Sequence, residues 1–211
     1  MKISPSILDA DFDALQSEIN SIASADRIHL DIMDGKYVPR ETFQNSELAN
    51  IQFPVNIEAH LMVNDPKSFF DEFEKLGVIG ITFHIETQNE EATLKLFEDL
   101  KARNIKAGIC LDGYTGDEAL SDRLLKPVDK ILIMSVKAGK GGQSFMPESL
   151  DKIKNLRSRG FTGEIEVDGG VTLINVGQLK EAGADIVVVG SFIMKKGPME
   201  RQAIIREFQA V

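Results

Sequence analysis

The sequence contains little of several residue types, and each shortage excludes a class of protein. Its 211 residues include a single cysteine, Cys110, which rules out an internal disulfide and fits a reducing compartment. No run approaches the roughly 18 apolar residues that a membrane span requires, so we expect no membrane partner. The stretch Met1–Leu8 is too short and interrupted for the apolar region of a signal peptide, and we therefore expect a cytoplasmic protein.

Basic residues are also scarce relative to acidic ones. The 24 lysines and arginines are outnumbered by 33 aspartates and glutamates, which gives a net charge of −9 with neutral histidines. Phosphate-backbone binding normally needs clustered lysine and arginine, so we expect no nucleic-acid partner. An anionic substrate would need a local positive site that opposes this overall field.

Short apolar runs rich in isoleucine and valine alternate with longer amphipathic stretches along the chain. The runs predict buried parallel strands at Lys2–Ile7, Arg27–Ile32, Val55–Leu61, Ile79–His84, Lys106–Leu111, Lys130–Met134, Glu164–Val167 and Asp185–Val189. The stretches predict helices near Phe12–Ser24, Asn45–Gln52, Pro66–Leu76, Glu90–Arg103, Asp117–Leu124, Pro147–Arg159, Leu173–Ala182 and Pro198–Phe208. Eight such units favour an α/β fold, a single-domain (β/α)8 TIM barrel over residues 1–211. A doubly wound open sheet is the alternative.

Polar residues collect where the predicted strands end, the edge at which barrels carry their functional groups. His29 and Asp31 share one face of the second strand, His60 ends the third, and Asp168 follows the seventh. Two imidazoles and two carboxylates suit a divalent cation such as Zn²⁺, Mn²⁺, Fe²⁺ or Co²⁺. Taken singly, each residue also fits an ordinary half-buried strand.

Glycine-rich turns follow the last three predicted strands. They read Gly139-Lys140-Gly141-Gly142, Gly169-Gly170 and Gly190-Ser191. Phosphate groups in barrels are commonly bound by the loops after strands seven and eight, where backbone N–H groups supply positive charge. The turns therefore predict a phosphate site, although ordinary tight turns use glycine in the same way.

Five motifs together resemble the ribulose-phosphate 3-epimerase family. They are Pro5-Ser6-Ile7-Leu8, His29-Leu30-Asp31-Ile32-Met33-Asp34-Gly35, His60-Leu61-Met62, Gly141-Gly142-Gln143-Ser144-Phe145 and Glu166-Val167-Asp168-Gly169-Gly170, and the resemblance extends to Ser191. The resemblance implies a ribulose-phosphate-binding (β/α)8 barrel of pentose phosphate metabolism. Such a barrel interconverts D-ribulose 5-phosphate and D-xylulose 5-phosphate with one bound divalent metal, and relatives commonly form homo-oligomers.

The resemblance also implies a role for each matching residue. Asp31 and Asp168 would be the acid/base pair, moving a proton at C3 through a metal-stabilised enediolate. The metal ligands would be His29, Asp31, His60 and Asp168. Substrate contacts would come from Ser6, His60, Met33, Met62, Met134, Gly139, Lys140, Gly141, Gly142, Gly169, Gly170, Gly190 and Ser191.

Three segments depart from the family's usual pattern, and one of them is Leu111-Asp112-Gly113 after the fifth strand, where Asn-Pro or Lys-Pro is common. Lys137–Gly142 stands where Asn-Pro-Gly-Phe-Gly-Gly is usual, and Lys36–Arg40 stands where His-Phe-Val-Pro-Asn is usual. These changes bear on the substrate more than on the reaction, so a ketohexose 6-phosphate such as allulose 6-phosphate stays open. A related phosphate-barrel lyase or decarboxylase and a non-catalytic phosphate-binding barrel are further alternatives. We expect His84 to be a supporting or structural residue, and Asp34 either to assist the site or to cap the turn at Gly35.

Overall fold

Eight parallel strands, one from each predicted strand segment, form the centre of the molecule. The computed structural model describes residues 1–43 and 45–211. The strands are β1 (Lys2–Pro5), β2 (Ile28–Met33), β3 (Ile57–Met62), β4 (Gly80–His84), β5 (Lys106–Leu111), β6 (Lys130–Met134), β7 (Glu164–Asp168) and β8 (Ile186–Val189). They form one sheet in the order β1-β8-β7-β6-β5-β4-β3-β2. The predicted barrel is confirmed, with the strand bounds within two residues of those expected from the sequence.

The two edge strands meet at one point, and this contact closes the sheet into a barrel. Ser6, just beyond β1, forms an isolated parallel bridge with His29 of β2. The Ile7 N–H donates to the His29 carbonyl at 3.3 Å, and the Ser6 N–H donates to the Val189 carbonyl of β8 at 3.2 Å. The chain just after β1 is therefore bonded on both sides, which places Ser6 at the mouth of the barrel.

Helices surround the sheet and bury their apolar faces against it. They are α1 (Leu15–Ser21), α2 (Asn45–Leu48), α3 (Phe70–Leu76), α4 (Glu90–Ala102), α5 (Asp122–Leu125), α6 (Ser149–Ser158), α7 (Val176–Ala182), α8 (Ser191–Met194) and α9 (Pro198–Ala210). In α4, for example, Phe97 is buried and packs on Phe83 of β4 with ring centroids 5.7 Å apart. Among the described residues, every helix is too short or too polar to cross a membrane.

Several helices are shorter than the sequence pattern predicts. The helix expected over Asn45–Gln52 ends at Leu48, which is the one fully buried residue described in that segment. A helix without a continuous apolar face gains little from packing, and short helices are marginal by themselves. The helix expected over Asp117–Leu124 divides into a 3₁₀ turn at Asp117–Ala119 and α5, because Leu120 and Ser121 adopt extended backbone conformations.

The strand register brings the polar strand ends side by side. Asp31 of β2 pairs with His60 of β3, and Met33 pairs with Met62 one step further along. On the opposite side of the barrel, Met134 of β6 pairs with Asp168 of β7. Because all strands run in the same direction, these residues reach one mouth of the barrel.

A network of buried charges lies deeper inside the barrel, where Glu58 and Glu166 approach His29 Nδ1 to 3.5 Å and 3.9 Å. The Lys130 ammonium lies 2.8 Å from Glu58 Oε2 and 2.5 Å from Glu166 Oε2, and all three side chains are at most 4% exposed. Arg27 adds a second cation, 3.2 Å from Glu58 and 2.6 Å from Glu164. Buried carboxylates need such partners because an isolated buried charge is very costly.

Candidate active site

Two histidines and two aspartates from β2, β3 and β7 converge inside the barrel, just beneath its mouth. One ligand atom each from His29, Asp31, His60 and Asp168 lies within 4.8 Å of the others. His60 Nδ1 is 3.2 Å from Asp31 Oδ1 and 3.9 Å from Asp168 Oδ2. His29 Nε2 is 3.5 Å from the same Asp31 oxygen. The structure therefore brings together the four residues that the sequence motifs single out.

The donor set at this cluster fits a divalent cation. His29 is fully buried, and its Nε2 atom has no hydrogen-bond partner although it faces a carboxylate. A buried polar atom without a partner is costly, and a cation shared with Asp31 would satisfy it. Mixed imidazole and carboxylate ligands suit Zn²⁺, Fe²⁺, Mn²⁺ and Co²⁺ alike.

The two aspartates of the cluster are placed in different electrostatic environments. Burial opposes ionisation of Asp31, but the His29 imidazole outweighs it and holds the pKa of Asp31 far below its usual range. Burial, reinforced by the negative charge of Asp31, raises the pKa of Asp168 to about 8. Without a cation, one carboxyl is therefore ionised at neutral pH while the other holds a proton. Pairs of titratable groups separated in this way are typical of acid/base sites.

The pKa values of the two histidines shift in opposite directions in this environment. Burial lowers the pKa of His60 to about 3, which leaves this imidazole uncharged and able to act as a ligand. Burial also acts to lower the pKa of His29, but the Asp31 carboxylate reverses the effect and the net shift is well upward. The cluster thus attracts positive charge, as protons on His29 or as a metal cation.

A cavity of about 360 Å³ opens directly above the aspartates. Its lining includes every predicted substrate-contact residue except His60, namely Ser6, Met33, Met62, Met134, Gly139, Lys140, Gly141, Gly142, Gly169, Gly170, Gly190 and Ser191. His29 and His60 are fully buried behind the cavity wall, at 0% exposure. The Ser6 hydroxyl donates to Asp31 Oδ2 at 2.5 Å and so fixes that carboxylate.

The glycines of the cavity have backbone conformations and close contacts that other residues would not tolerate. Gly169 and Gly170 have φ values of 116° and 62°, in the region that favours glycine. A Cβ atom on Gly170 would come within 2.5 Å of the Phe145 backbone nitrogen. The turn after β7 can therefore approach the loop after β6 closely enough for both to contact a small ligand.

Sequence reasoning missed several groups around this site. Tyr37, in the loop after β2, reaches His84 with its hydroxyl 2.9 Å from His84 Nδ1. Glu86 Oε2 lies 3.1 Å from the same nitrogen. Asp9 lines the cavity near Gly141, with no signal in the sequence to mark it. The spacing His84-x-Glu86 just after a strand is the one signal that could have drawn attention to Glu86.

Asp34 proves to organise the turn that follows β2. Its Oδ1 accepts the N–H groups of Lys36 at 2.9 Å and Tyr37 at 3.0 Å, and its Oδ2 accepts the Asn64 N–H at 3.0 Å. These hydrogen bonds tie the loop after β2 to the loop after β3. Of the two roles considered for Asp34, the structure shows the turn-capping one.

The fold and this cluster define a class of protein, the (β/α)8 barrels with ionisable side chains gathered toward the carboxyl ends of the strands. A family model described as the ribulose-phosphate 3 epimerase family matches residues 2–194. The chain belongs to that family, and it is an epimerase, an enzyme of the isomerase class.

Named relatives cover most of the chain. The ribulose-phosphate 3-epimerase of Helicobacter pylori strain J99 is 38% identical over 217 residues, which span 100% of this chain and 98% of that protein. The ribulose-phosphate 3-epimerase of Escherichia coli K12 is 40% identical over 201 residues, which span 90% of this chain and 88% of that protein. A 3-hexulose-6-phosphate synthase structure shares the fold with a TM-score of 0.74 and 16% identity, covering 100% of this chain and 99% of that one.

Proposed function

We propose that the chain acts as one barrel domain over residues 1–211 that inverts C3 of D-ribulose 5-phosphate to give D-xylulose 5-phosphate, with a divalent cation bound. The observation that carries this proposal is the meeting of Asp31 and Asp168 with His29 and His60 at the floor of the cavity. The names of the relatives support the pentulose phosphate as substrate.

Asp31 and Asp168 are suited to move the C3 proton. One carboxylate removes the proton from one face of C3, and the electron pair of the C–H bond shifts toward the C2 carbonyl oxygen to give an enediolate. The other carboxyl group then delivers a proton to the opposite face, and the roles reverse in the reverse reaction. The two residues come from β2 and β7, so they can approach a substrate from different sides.

The cation would be held by His29, Asp31, His60 and Asp168. When bound, it supplies Lewis-acid stabilisation of the negative charge that develops on the substrate oxygens. The Ser6 hydroxyl keeps Asp31 oriented through its 2.5 Å hydrogen bond. Zn²⁺, Mn²⁺, Fe²⁺ and Co²⁺ all suit these ligands.

The rest of the cavity divides into an apolar part and a glycine-rich part. Met33, Met62 and Met134 line it beside the aspartates. Their thioether side chains are apolar and carry no acidic proton, so they exclude water without protonating the intermediate. The glycine turns after β6, β7 and β8 would hold the phosphate through backbone N–H groups, with Lys140 adding a positive charge at the rim.

A substrate panel with a defined metal tests the proposal. Purified protein is stripped of metal, reloaded separately with Zn²⁺, Mn²⁺, Fe²⁺ or Co²⁺, and assayed for epimerisation of ribulose 5-phosphate and allulose 6-phosphate. We expect turnover of the pentulose phosphate that disappears on metal removal and returns on reloading. Negligible pentulose activity beside strong hexulose activity would reject the substrate, and full activity without metal would reject the metal dependence.

A further inference from the structure

A line of hydrogen bonds runs outward from His60 to the rim of the barrel. His60 Nε2 is 2.9 Å from His84 Nε2, and His84 Nδ1 is 3.1 Å from Glu86 Oε2. His84 ends β4, and Glu86 lies in the 3₁₀ turn Ile85–Thr87 that follows it. None of these contacts is needed to form the sheet, since side chains alone make them.

Glu86 determines which atom donates and which accepts in each of these hydrogen bonds. Its Oε1 accepts the Asp112 N–H at 2.8 Å, which holds the carboxylate in place. Burial opposes ionisation, but the hydrogen bond with His84 outweighs it and lowers the pKa of Glu86 to about 2. An ionised carboxylate only accepts hydrogen bonds, so the proton between Glu86 and His84 belongs to His84 Nδ1.

The proton on His84 Nδ1 determines which nitrogen of His60 is free. If each ring carries a single proton, a proton on His84 Nδ1 leaves His84 Nε2 as the acceptor, and His60 Nε2 donates to it. His60 Nδ1 is then left with a lone pair, and it faces Asp31 Oδ1 at 3.2 Å and Asp168 Oδ2 at 3.9 Å. A cation bound between this lone pair and the two carboxyl groups would satisfy all three groups.

We propose that Glu86 and His84 are positioning residues that fix His60 as the Nε2–H tautomer and so present His60 Nδ1 to the cation. This inference rests on the metal-dependent function proposed above. It extends that function by giving the cation site a support on β4 that makes no contact with the substrate cavity. Hydrogen bonds of this kind fix ring orientation and raise ligand basicity.

Tyr37 offers the competing arrangement, because its hydroxyl is also 2.9 Å from His84 Nδ1. If Tyr37 donated to that nitrogen, His84 and His60 would both adopt the opposite tautomers and His60 Nδ1 would carry the proton. Glu86 Oε2 would then lie 3.1 Å from His84 Nδ1 with no proton between them. In the arrangement that we propose, with the proton on His84 Nδ1, Tyr37 instead donates to Glu86 Oε2 at 3.4 Å.

Cobalt titration of three variants separates these arrangements. Metal-free protein is titrated with Co²⁺ and the visible absorption of the bound ion gives the Kd. We expect Glu86→Gln to weaken Co²⁺ binding by about 10-fold, the lower end of the effect of losing a direct partner of a metal-binding histidine, because Glu86 acts on His60 through His84. Tyr37→Phe should stay within about threefold of the wild type, because Glu86 still holds His84 in the same tautomer. Glu118→Gln, which makes the same charge change at an exposed position after β5, is the matched control.

The opposite ranking, with Tyr37→Phe weakening Co²⁺ binding and Glu86→Gln leaving it unchanged, would overturn the proposal. Equal affinities for all three variants would overturn it as well while leaving the epimerase function intact. If the wild type bound no Co²⁺, the metal dependence of the proposed function would fail, and the positioning role would fail with it.

Nuclear magnetic resonance of the Zn²⁺-loaded protein gives a second readout that does not depend on activity. The chain has only 3 histidines, so long-range ¹⁵N–¹H spectra of the rings contain few signals and the tautomers can be assigned. We expect the His60 ring to be protonated on Nε2 and the His84 ring on Nδ1. A His60 ring protonated on Nδ1 would contradict the proposal.

Discussion

Replacing Lys130 with methionine should destabilise the barrel strongly, because Lys130 neutralises two buried carboxylates inside the barrel. Its ammonium is 2.8 Å from Glu58 Oε2 and 2.5 Å from Glu166 Oε2. Glu58 would keep the Arg27 guanidinium at 3.2 Å and the Ser4 hydroxyl at 2.6 Å. Glu166 Oε1 already has no hydrogen-bond partner, and Oε2 would lose its ammonium donor.

The size of the expected loss in stability follows from the carboxylate charge that remains buried when Lys130 is removed. Methionine approximates the length of the lysine stem, so the main loss is electrostatic. Removing one partner of a buried ion pair typically costs about 3–5 kcal/mol, because the other charge stays buried without compensation. Burial and the charge of Glu58 already raise the pKa of Glu166 to about 7, and loss of Lys130 would raise it further, because the buried carboxylate would then have no cation beside it.

Urea denaturation at pH 7 measures this loss. The midpoint should fall while the slope m stays unchanged, since the surface exposed on unfolding is the same. Lys126→Met removes an exposed lysine charge and should change the free energy of unfolding by at most about 0.5 kcal/mol. The double change Lys130→Met with Glu166→Gln should recover about 2 kcal/mol, because it removes the uncompensated carboxylate. If Lys130→Met were as stable as Lys126→Met, the reasoning would be refuted.

Three further predictions concern pH and backbone packing. Burial acts to raise the pKa of Glu164, but its hydrogen bond with Arg27 outweighs this and lowers the pKa to about 2. A carboxyl group whose pKa is lower in the folded protein stabilises the fold at pH values above its pKa in the unfolded chain. This stabilisation is lost as the pH falls toward 2. Glu164→Gln should therefore be about 1–2 kcal/mol less stable at pH 7, after allowance for solvent screening, and should lose less stability between pH 5 and pH 2.5. An equal loss in the free energy of unfolding for the two proteins over that pH range, measured by urea denaturation, would contradict this prediction. Gly177→Ala should raise the free energy of unfolding by about 0.5–1 kcal/mol, because Gly177 lies within α7 and a Cβ would meet nothing within 4 Å. Gly108→Ala should lower it by about 1–3 kcal/mol, because the Cβ would lie 2.2 Å from Thr82 Oγ1, and a stable Gly108→Ala protein would show that the packing argument is wrong.

The strands and the four-residue cluster could be predicted from the sequence because they depend on local patterns and on one property of the fold. Lys106–Leu111 and Lys130–Met134 are continuous apolar runs, and their bounds match the sequence prediction. Once the strands are parallel, their carboxyl ends share one mouth. Asp31, His60 and Asp168 then meet there whatever the details of the helices.

The support behind His60 could not be predicted in the same way. Tyr37 reaches His84 from the loop after β2, across the end of β3, and this contact depends on the course of a loop. Glu86 is oriented by the Asp112 N–H from the segment after β5. The early end of the helix at Leu48 could not be predicted either, because the sequence does not show how little of this segment packs on the barrel. Among the residues described there, only Leu48 is fully buried.

The central claim is that Asp31 and Asp168 move the C3 proton on opposite faces of the substrate. Its most direct test is deuterium incorporation at C3 from D₂O, measured for ribulose 5-phosphate and xylulose 5-phosphate with Asp31→Asn and Asp168→Asn. Circular dichroism should show that both variants keep the fold. We expect each variant to lose epimerisation and to exchange the C3 proton of at most one epimer, with any residual exchange falling on opposite epimers in the two variants. Full epimerisation by either variant, or exchange of both epimers by one of them, would contradict the two-carboxylate account.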